Sequence, residues 1–400
     1  MTEAGPIVRA MRCPTSGISV SSVMDGGNIQ VVQLGAEGDM ALRIIPDPYC
    51  ETDKRAHMQW FSFRVAGVQG RKLRMQVTNA GEASYAPAWH GYEAAASYDS
   101  ETWFRVPTAY DEAAGTLTIT HDSPAHNVVH YAYFAPYPMS RHESLVARMQ
   151  ARPGVRLSVM GHTCEGRAMD LLQVGEEGAG KRKVWVIARQ HPGETMAEFF
   201  MEGLLERLTD PHDAVARAVR AQCVVYAVPN MCPDGSARGH LRTNAAGVNL
   251  NRAWAHPDPA TSPEVACTLA AMDATGVDLL VDVHGDEELP YCFVAGLNGI
   301  PAWDARLETL QHAFCTAFMR HSPDFQVTHG YPTDAPGKAN LTLCSKQIGQ
   351  RFGALSLTLE MPFKDTAGHP VPGVGWSPQR AAALGAAMLG AVHEVAPSLR

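Results

Sequence analysis

Two short stretches hold side chains whose types and spacing could do metal chemistry. The first is Val184-Trp185-Val186-Ile187-Ala188-Arg189-Gln190-His191-Pro192-Gly193-Glu194-Thr195. An apolar run ends there in a Pro-Gly turn, and a helix is predicted to follow. His191 and Glu194 stand three residues apart, so one tight turn can aim both at a single point. The second is Leu279-Leu280-Val281-Asp282-Val283-His284-Gly285-Asp286, another apolar run closing on a histidine, read as a strand at a sheet edge. Ends of such strands are where open α/β sheets place ligands. Taken singly, neither stretch says much: with 17 histidines in the chain a chance His-x-x-Glu is common, and a lone histidine at a strand end is more often structural. Taken together they supply two imidazoles and a carboxylate. That set leaves the fourth position of a tetrahedral zinc site open to water, the pattern of a catalytic rather than a structural metal.

The elements that must position these groups fall into two textures. Up to about Pro138 the chain alternates. Phe61, Phe63 and Val65 do so, as do Leu73, Met75 and Val77, and Leu117 and Ile119, with turn formers at 67–70, 79–81 and 112–115. Short alternating strands between regular turns predict an antiparallel β-sandwich over residues 1–138. Beyond it, Ser140 to Gln150 reads as a helix. Apolar strand candidates then alternate with helical stretches: Arg156 to Met160, Val184 to Ala188, Cys223 to Val228, Leu279 to Val283, Tyr291 to Val294 and Ala354 to Leu359. Phe200, Leu204 and Leu208 mark one face of the helix after His191. Ser377-Pro378 is a cap and first-turn proline for the last helix. Continuous apolar strands between helices predict an α/β domain over residues 139–400, with a mixed, mostly parallel sheet covered on both faces.

Bulk properties narrow the class. At 46% apolar and 18% charged residues, the chain can build a sizeable core. A formal charge of −8 without basic runs argues against nucleic acid as a partner. The nine cysteines lie singly, with no Cys-x-x-Cys, which fits free thiols in a reducing compartment better than a disulfide framework. The start of the chain has no apolar core of a secretory signal, and no window approaches 18 apolar residues. The expectation is a cytoplasmic protein that does not enter membranes.

At four places the sequence resembles a known family: HPGE at 191–194, VPNMCPDGSARGHLRTNAAGVNLNRAW at 228–254, DVHGDEE at 282–288 and LTLEMPFKD at 357–365. In this order they resemble the M14 zinc carboxypeptidases, and within them the cytosolic carboxypeptidases, over roughly residues 140–394. QWFSFRV at 59–65 is similar to the β-sandwich domain that precedes catalysis in the same subfamily. The resemblance implies one zinc ion held by His191, Glu194 and His284. It implies Glu360 as general base, Arg242 beside the scissile carbonyl, and Asn251 with Arg252 as the grip on a substrate's terminal carboxylate. Peptide or protein C-terminal tails would be the substrates. Asn249 stands where the family often has an Asp that accepts from a zinc-bound histidine; an amide oxygen can still accept, without the charge.

Relatives of this kind remove acidic residues, which implies a preference for C-terminal Glu or Asp. Lys346 and Arg351, just before the strand that ends in Glu360, are candidates for the cation that would read such a side chain. Taken singly, each reads more readily as a solvated surface charge. Tyr331 is a candidate phenol at the site. Two other functions fit the same residues: an aspartoacylase-like zinc amidohydrolase of N-acyl amino acids, and a protein that binds C-terminal tails without cleaving them.

Overall fold

The structure, a computed structural model, describes residues 7–50 and 57–399. The alternating N-terminal region forms two sheets. One has six strands, in the order Ala10–Arg12, Ser19–Ser21, Ser62–Ala66, Val128–Ala132, Ala94–Ser97, Trp103–Val106. The other has five, Gln30–Leu34, Asp39–Arg43, Lys72–Val77, Thr116–Asp122, Thr108–Asp111. Period-two patterning decides which side chains point inward. Phe63 and Val65, Leu73, Met75 and Val77, Leu117 and Ile119 are all fully buried, while Arg64 and Arg74 between them are exposed. Among the described residues of these two sheets every strand pairing is antiparallel save one: Asp39–Arg43 runs parallel to Lys72–Val77.

From Met139 the helical texture begins, with a helix at Met139–Gln150. A seven-stranded sheet follows, ordered Val155–His162, Ala168–Val174, Cys223–Val228, Arg182–Ala188, Leu279–Val283, Leu355–Glu360, Phe293–Ala295. The four strands from Cys223–Val228 to Leu355–Glu360 are mutually parallel, and the outer strands are antiparallel. Ala168–Val174 has no counterpart among the sequence's candidates, because adjacent Leu171 and Leu172 break its alternation. The strand Leu279–Val283 lies in the middle of the sheet, paired on both sides, so His284 leaves a central strand and not an edge.

Alternation also divides the sheet's two faces. Val184, Val186 and Ala188 join one cluster with Phe200, Leu204 and Leu208 of the helix Met196–Leu208 and with Leu384, Met388 and Leu389 of Pro378–Val395. Trp185 and Ile187 join another, with Val265 and Met272 of Pro263–Thr275 and Ile348 of Cys344–Phe352. The first cluster continues into the sandwich, so one apolar core runs through both halves of the chain. Helices Met196–Leu208 and Pro378–Val395 approach backbone to backbone. A Cβ on Gly385 would lie 2.0 Å from the Phe200 carbonyl oxygen, and one on Gly203 equally close to that of Ala382. Ser377 caps the last helix, accepting from the Arg380 N–H, and Pro378 opens its first turn.

Candidate metal centre and active site

The turn carrying His191 and Glu194 is held from beneath. Arg189, the first residue past its strand, has φ of 58°, a left-handed conformation that costs a non-glycine residue energy and persists only where its surroundings impose it. Here its guanidinium imposes it. Nε donates to the Pro192 carbonyl at 2.9 Å, and Nη1 to the Tyr137 carbonyl at 2.8 Å and to Glu198 Oε2 at 2.5 Å. Glu198 is fully buried and also meets His142 Nδ1 at 2.7 Å and the Asn230 amide at 3.1 Å. The carboxylate and guanidinium balance inside the core, as buried charges must.

On this support the three expected ligands converge. His191 Nδ1 lies 2.6 Å from Glu194 Oε1, His284 Nδ1 lies 2.8 Å from Glu194 Oε2, and the two Nδ1 atoms are 3.2 Å apart. The three donor atoms all fall within 4.8 Å of one another, and all three residues are buried. The outer ring nitrogens have partners of their own: His284 Nε2 is 2.9 Å from Asp282 Oδ2, and His191 Nε2 is 3.0 Å from Asn249 Oδ1. Acceptors on Nε2 fix the proton there and turn each Nδ1 lone pair toward Glu194. Asn249 thus occupies the expected place and accepts without charge.

The electrostatics fit a cation. Burial and the Arg242 charge push the His191 pKa down to about 3, so this ring is neutral, as a ligand must be. Burial works against a charge on His284, yet Asp282 and Glu194 outweigh it and raise its pKa well above the ordinary value. The pocket therefore favours a positive charge between His284 and Glu194, and a divalent metal would replace that proton. Two imidazole nitrogens and a carboxylate are a donor set suited to zinc.

Glu360 ends the strand beside that of His284, with Leu359 paired to Val283. It is buried; Oε1 accepts from the Tyr331 hydroxyl at 3.2 Å, and Oε2 has no hydrogen-bond partner among the described residues. Burial raises its pKa well above the carboxylate range, with Glu194, Asp286 and Glu287 adding to the effect and His284 opposing it. Tyr331 also donates to Asp286 Oδ2 at 2.5 Å. Arg242 is half-buried, with its guanidinium carbon 5.9 Å from the centre of the Tyr85 ring. Asn251 is buried, its amide nitrogen 3.4 Å from His284 Nε2 and its oxygen accepting from the Cys344 N–H. Arg252 is exposed and donates to the Asn251 carbonyl at 2.7 Å.

The two candidate cations separate. Arg351 is exposed and forms a bidentate pair with Asp273 at 2.7 and 2.8 Å, a surface ion pair far from the role considered for it. Lys346 is buried and lines a cavity of about 610 Å³ with Tyr331, Phe293, His312, Glu308 and Asp334. Its ammonium donates to Asp334 Oδ2 and to the Asn298 carbonyl, both at 2.8 Å. Two further groups belong to the site: Asp282, within reach of a sequence reading through the two-residue period it shares with His284, and Asp286, which engages Tyr331.

Comparison with known proteins agrees with this geometry. Residues 20–134 match the family model of the cytosolic carboxypeptidase N-terminal domain, and residues 142–288 that of zinc carboxypeptidase. A metallo-carboxypeptidase from Burkholderia cenocepacia is 47% identical, with a TM-score of 0.90, over 94% of this chain and 98% of its own. A metallo-carboxypeptidase from Pseudomonas aeruginosa, solved in complex with (2-guanidinoethylmercapto)succinic acid, is 44% identical with a TM-score of 0.90 over 95% of this chain and 100% of its own. Mouse cytosolic carboxypeptidase 6 is 22% identical over 70% of this chain, which spans 55% of that protein. The chain belongs to the zinc carboxypeptidases, with the N-terminal domain of the cytosolic carboxypeptidases ahead of its peptidase fold.

Proposed function

We propose that this chain removes single residues from peptide or protein C-termini, favouring Glu and Asp, with Glu360 as general base. The observation that supports this most is the convergence of His191 Nδ1, His284 Nδ1 and the Glu194 carboxylate, close to a buried Glu360 with one oxygen unpartnered among the described residues. A zinc ion held by those three residues would polarise the peptide carbonyl and lower the pKa of an attacking water. Glu360 takes the proton from the attacking water and passes it to the leaving amine, a role that its place at the end of the strand beside that of His284 allows. Arg242 donates to the carbonyl oxygen as charge develops, a contribution of about 3–4 kcal/mol for a well-placed donor. Asn251 and Arg252 bind the terminal carboxylate, Arg252 by a fork suited to two oxygens.

The side-chain preference rests on Lys346, the only lysine or arginine among the described residues lining the cavity at Tyr331. A second reading has its own support. Asp334 already pairs with Lys346, Glu308 adds a negative charge, and the Pseudomonas aeruginosa relative takes a guanidino ligand. On that reading the cavity accepts a basic side chain. We also place the division between the two halves near residue 138. A cytoplasmic setting suits the nine cysteines, all free.

The test is mass spectrometry of peptides ending in Glu, Asp, Lys, Arg or Phe, with wild type, Glu360→Gln and chelator-treated protein. Release of single acidic residues, abolished by chelator and reduced at least about 100-fold in the variant, is expected. Release of Lys or Arg would establish the second reading. Wild type and variant equally inert on all peptides, with binding of the tails retained, would leave tail binding as the function.

A further inference from the structure

Resting on the role of Arg242 given above, we infer that the N-terminal sandwich completes the active site through Asp47, a positioning residue for that arginine. Asp47 is buried, and its carboxylate crosses from the sandwich to the peptidase half. Oδ1 accepts from the Leu241 N–H at 2.7 Å. Oδ2 accepts from the Arg242 N–H at 2.8 Å, the Thr243 N–H at 3.0 Å and the Thr243 hydroxyl at 3.1 Å. Three successive amides aimed at one point form an anion-binding concavity, and here a carboxylate from another domain fills it. The central amide of the three is Arg242's own.

The far side of this loop touches the metal turn. The Leu241 carbonyl accepts from the Gly193 N–H at 2.9 Å, between His191 and Glu194. Asp47, the Arg242 loop and the ligand turn are thus joined by consecutive hydrogen bonds. The sandwich also provides the Tyr85 ring beside the Arg242 guanidinium, so both the backbone and the side chain of Arg242 are set from outside the peptidase half. Further contacts keep Asp47 in register. The Asn28 amide donates to the Gly239 carbonyl at 2.9 Å, and Gly247 lies so close to Tyr49 that a Cβ there would meet its carbonyl oxygen at 2.2 Å. Those contacts would suffice for docking alone. What they do not explain is a buried charge spent on the three amides around one arginine, since an unneeded buried carboxylate is costly.

The experiment is a double-mutant cycle in steady-state peptide hydrolysis by the zinc-loaded full chain: wild type, Asp47→Asn, Arg242→Lys and both together. Asp47→Asn keeps the shape but turns an N–H donor toward the amides. We expect kcat to fall about 10–100-fold with zinc content retained and KM little changed. In the Arg242→Lys background the same change should lower kcat by less than about threefold, because the group it positions is already lost. Equal losses in both backgrounds, or no loss in the first, overturn the inference. Should Asp47→Asn fail to fold, Asp47→Glu, which keeps the charge but displaces it by one methylene, enters the same cycle with the same criteria. If Arg242→Lys retains wild-type kcat, the role assigned to Arg242 itself is wrong.

Discussion

His284 Nε2 and Asp282 Oδ2 lie 2.9 Å apart, on residues separated by two positions at the end of the strand Leu279–Val283. The other ligand histidine has only the neutral Asn249 oxygen in the corresponding position, at 3.0 Å. The two rings therefore differ in basicity. Asp282→Asn should weaken zinc binding about 10–100-fold, measured by competition with a chromophoric chelator. Asn249→Asp should strengthen it. Unchanged affinity in Asp282→Asn would show that the carboxylate does not support the ligand.

Lys346 tests the substrate preference. Its ammonium is buried and held by Asp334 and the Asn298 carbonyl, so a substrate carboxylate must exchange with Asp334. A charged hydrogen bond of this kind is worth about 1.5–3 kcal/mol. Lys346→Met should then lower kcat/KM for peptides ending in Glu by roughly 10–100-fold and leave those ending in Phe near their wild-type value. An equal loss on both peptides would remove Lys346 from recognition.

His142 gives the fold a pH dependence. Burial opposes its charge, but Glu198 and Asp170 outweigh burial and push its pKa up to about 9, from an ordinary 6.5. The folded state thus binds the proton more tightly than the unfolded chain. Its stabilisation is complete below pH 6.5 and is lost as the pH rises through about 9. The melting temperature should fall across that window, and in His142→Gln the fall should be shallower. Identical slopes would mean that the imidazolium is not what links stability to pH.

Gly385 tests the close helix contact. A Cβ 2.0 Å from the Phe200 carbonyl oxygen cannot be accommodated without moving a backbone. Gly385→Ala gains helix propensity of nearly 1 kcal/mol but should cost about 1–3 kcal/mol or more in strain. Chemical denaturation should show net destabilisation; a stabilised variant would mean that the two helices separate readily.

Much of this site was legible because strands and turns order it locally. His191 and Glu194 share one turn, and His284 and Glu360 each end an apolar run, so the motifs survive in the linear sequence. Asp282 was also within reach through the two-residue period. Other parts were not. Asp47 meets Arg242 across 195 positions, and no local pattern encodes such a pairing. Arg351 and Lys346 sit five residues apart on one helix, yet one faces Asp273 at the surface and the other a cavity; only packing separates them. The strand Ala168–Val174 carries no legible alternation because adjacent Leu171 and Leu172 are both buried, and the position of Leu279–Val283 within the sheet depends on pairing order, which no single strand carries.

The most direct measurement is anomalous diffraction at the zinc edge from crystals of the zinc-loaded protein. One strong peak is expected, about 2.0–2.2 Å from Nδ1 of His191, Nδ1 of His284 and a Glu194 oxygen. A zinc peak bound elsewhere, or none at those three side chains under saturating metal, would contradict the account.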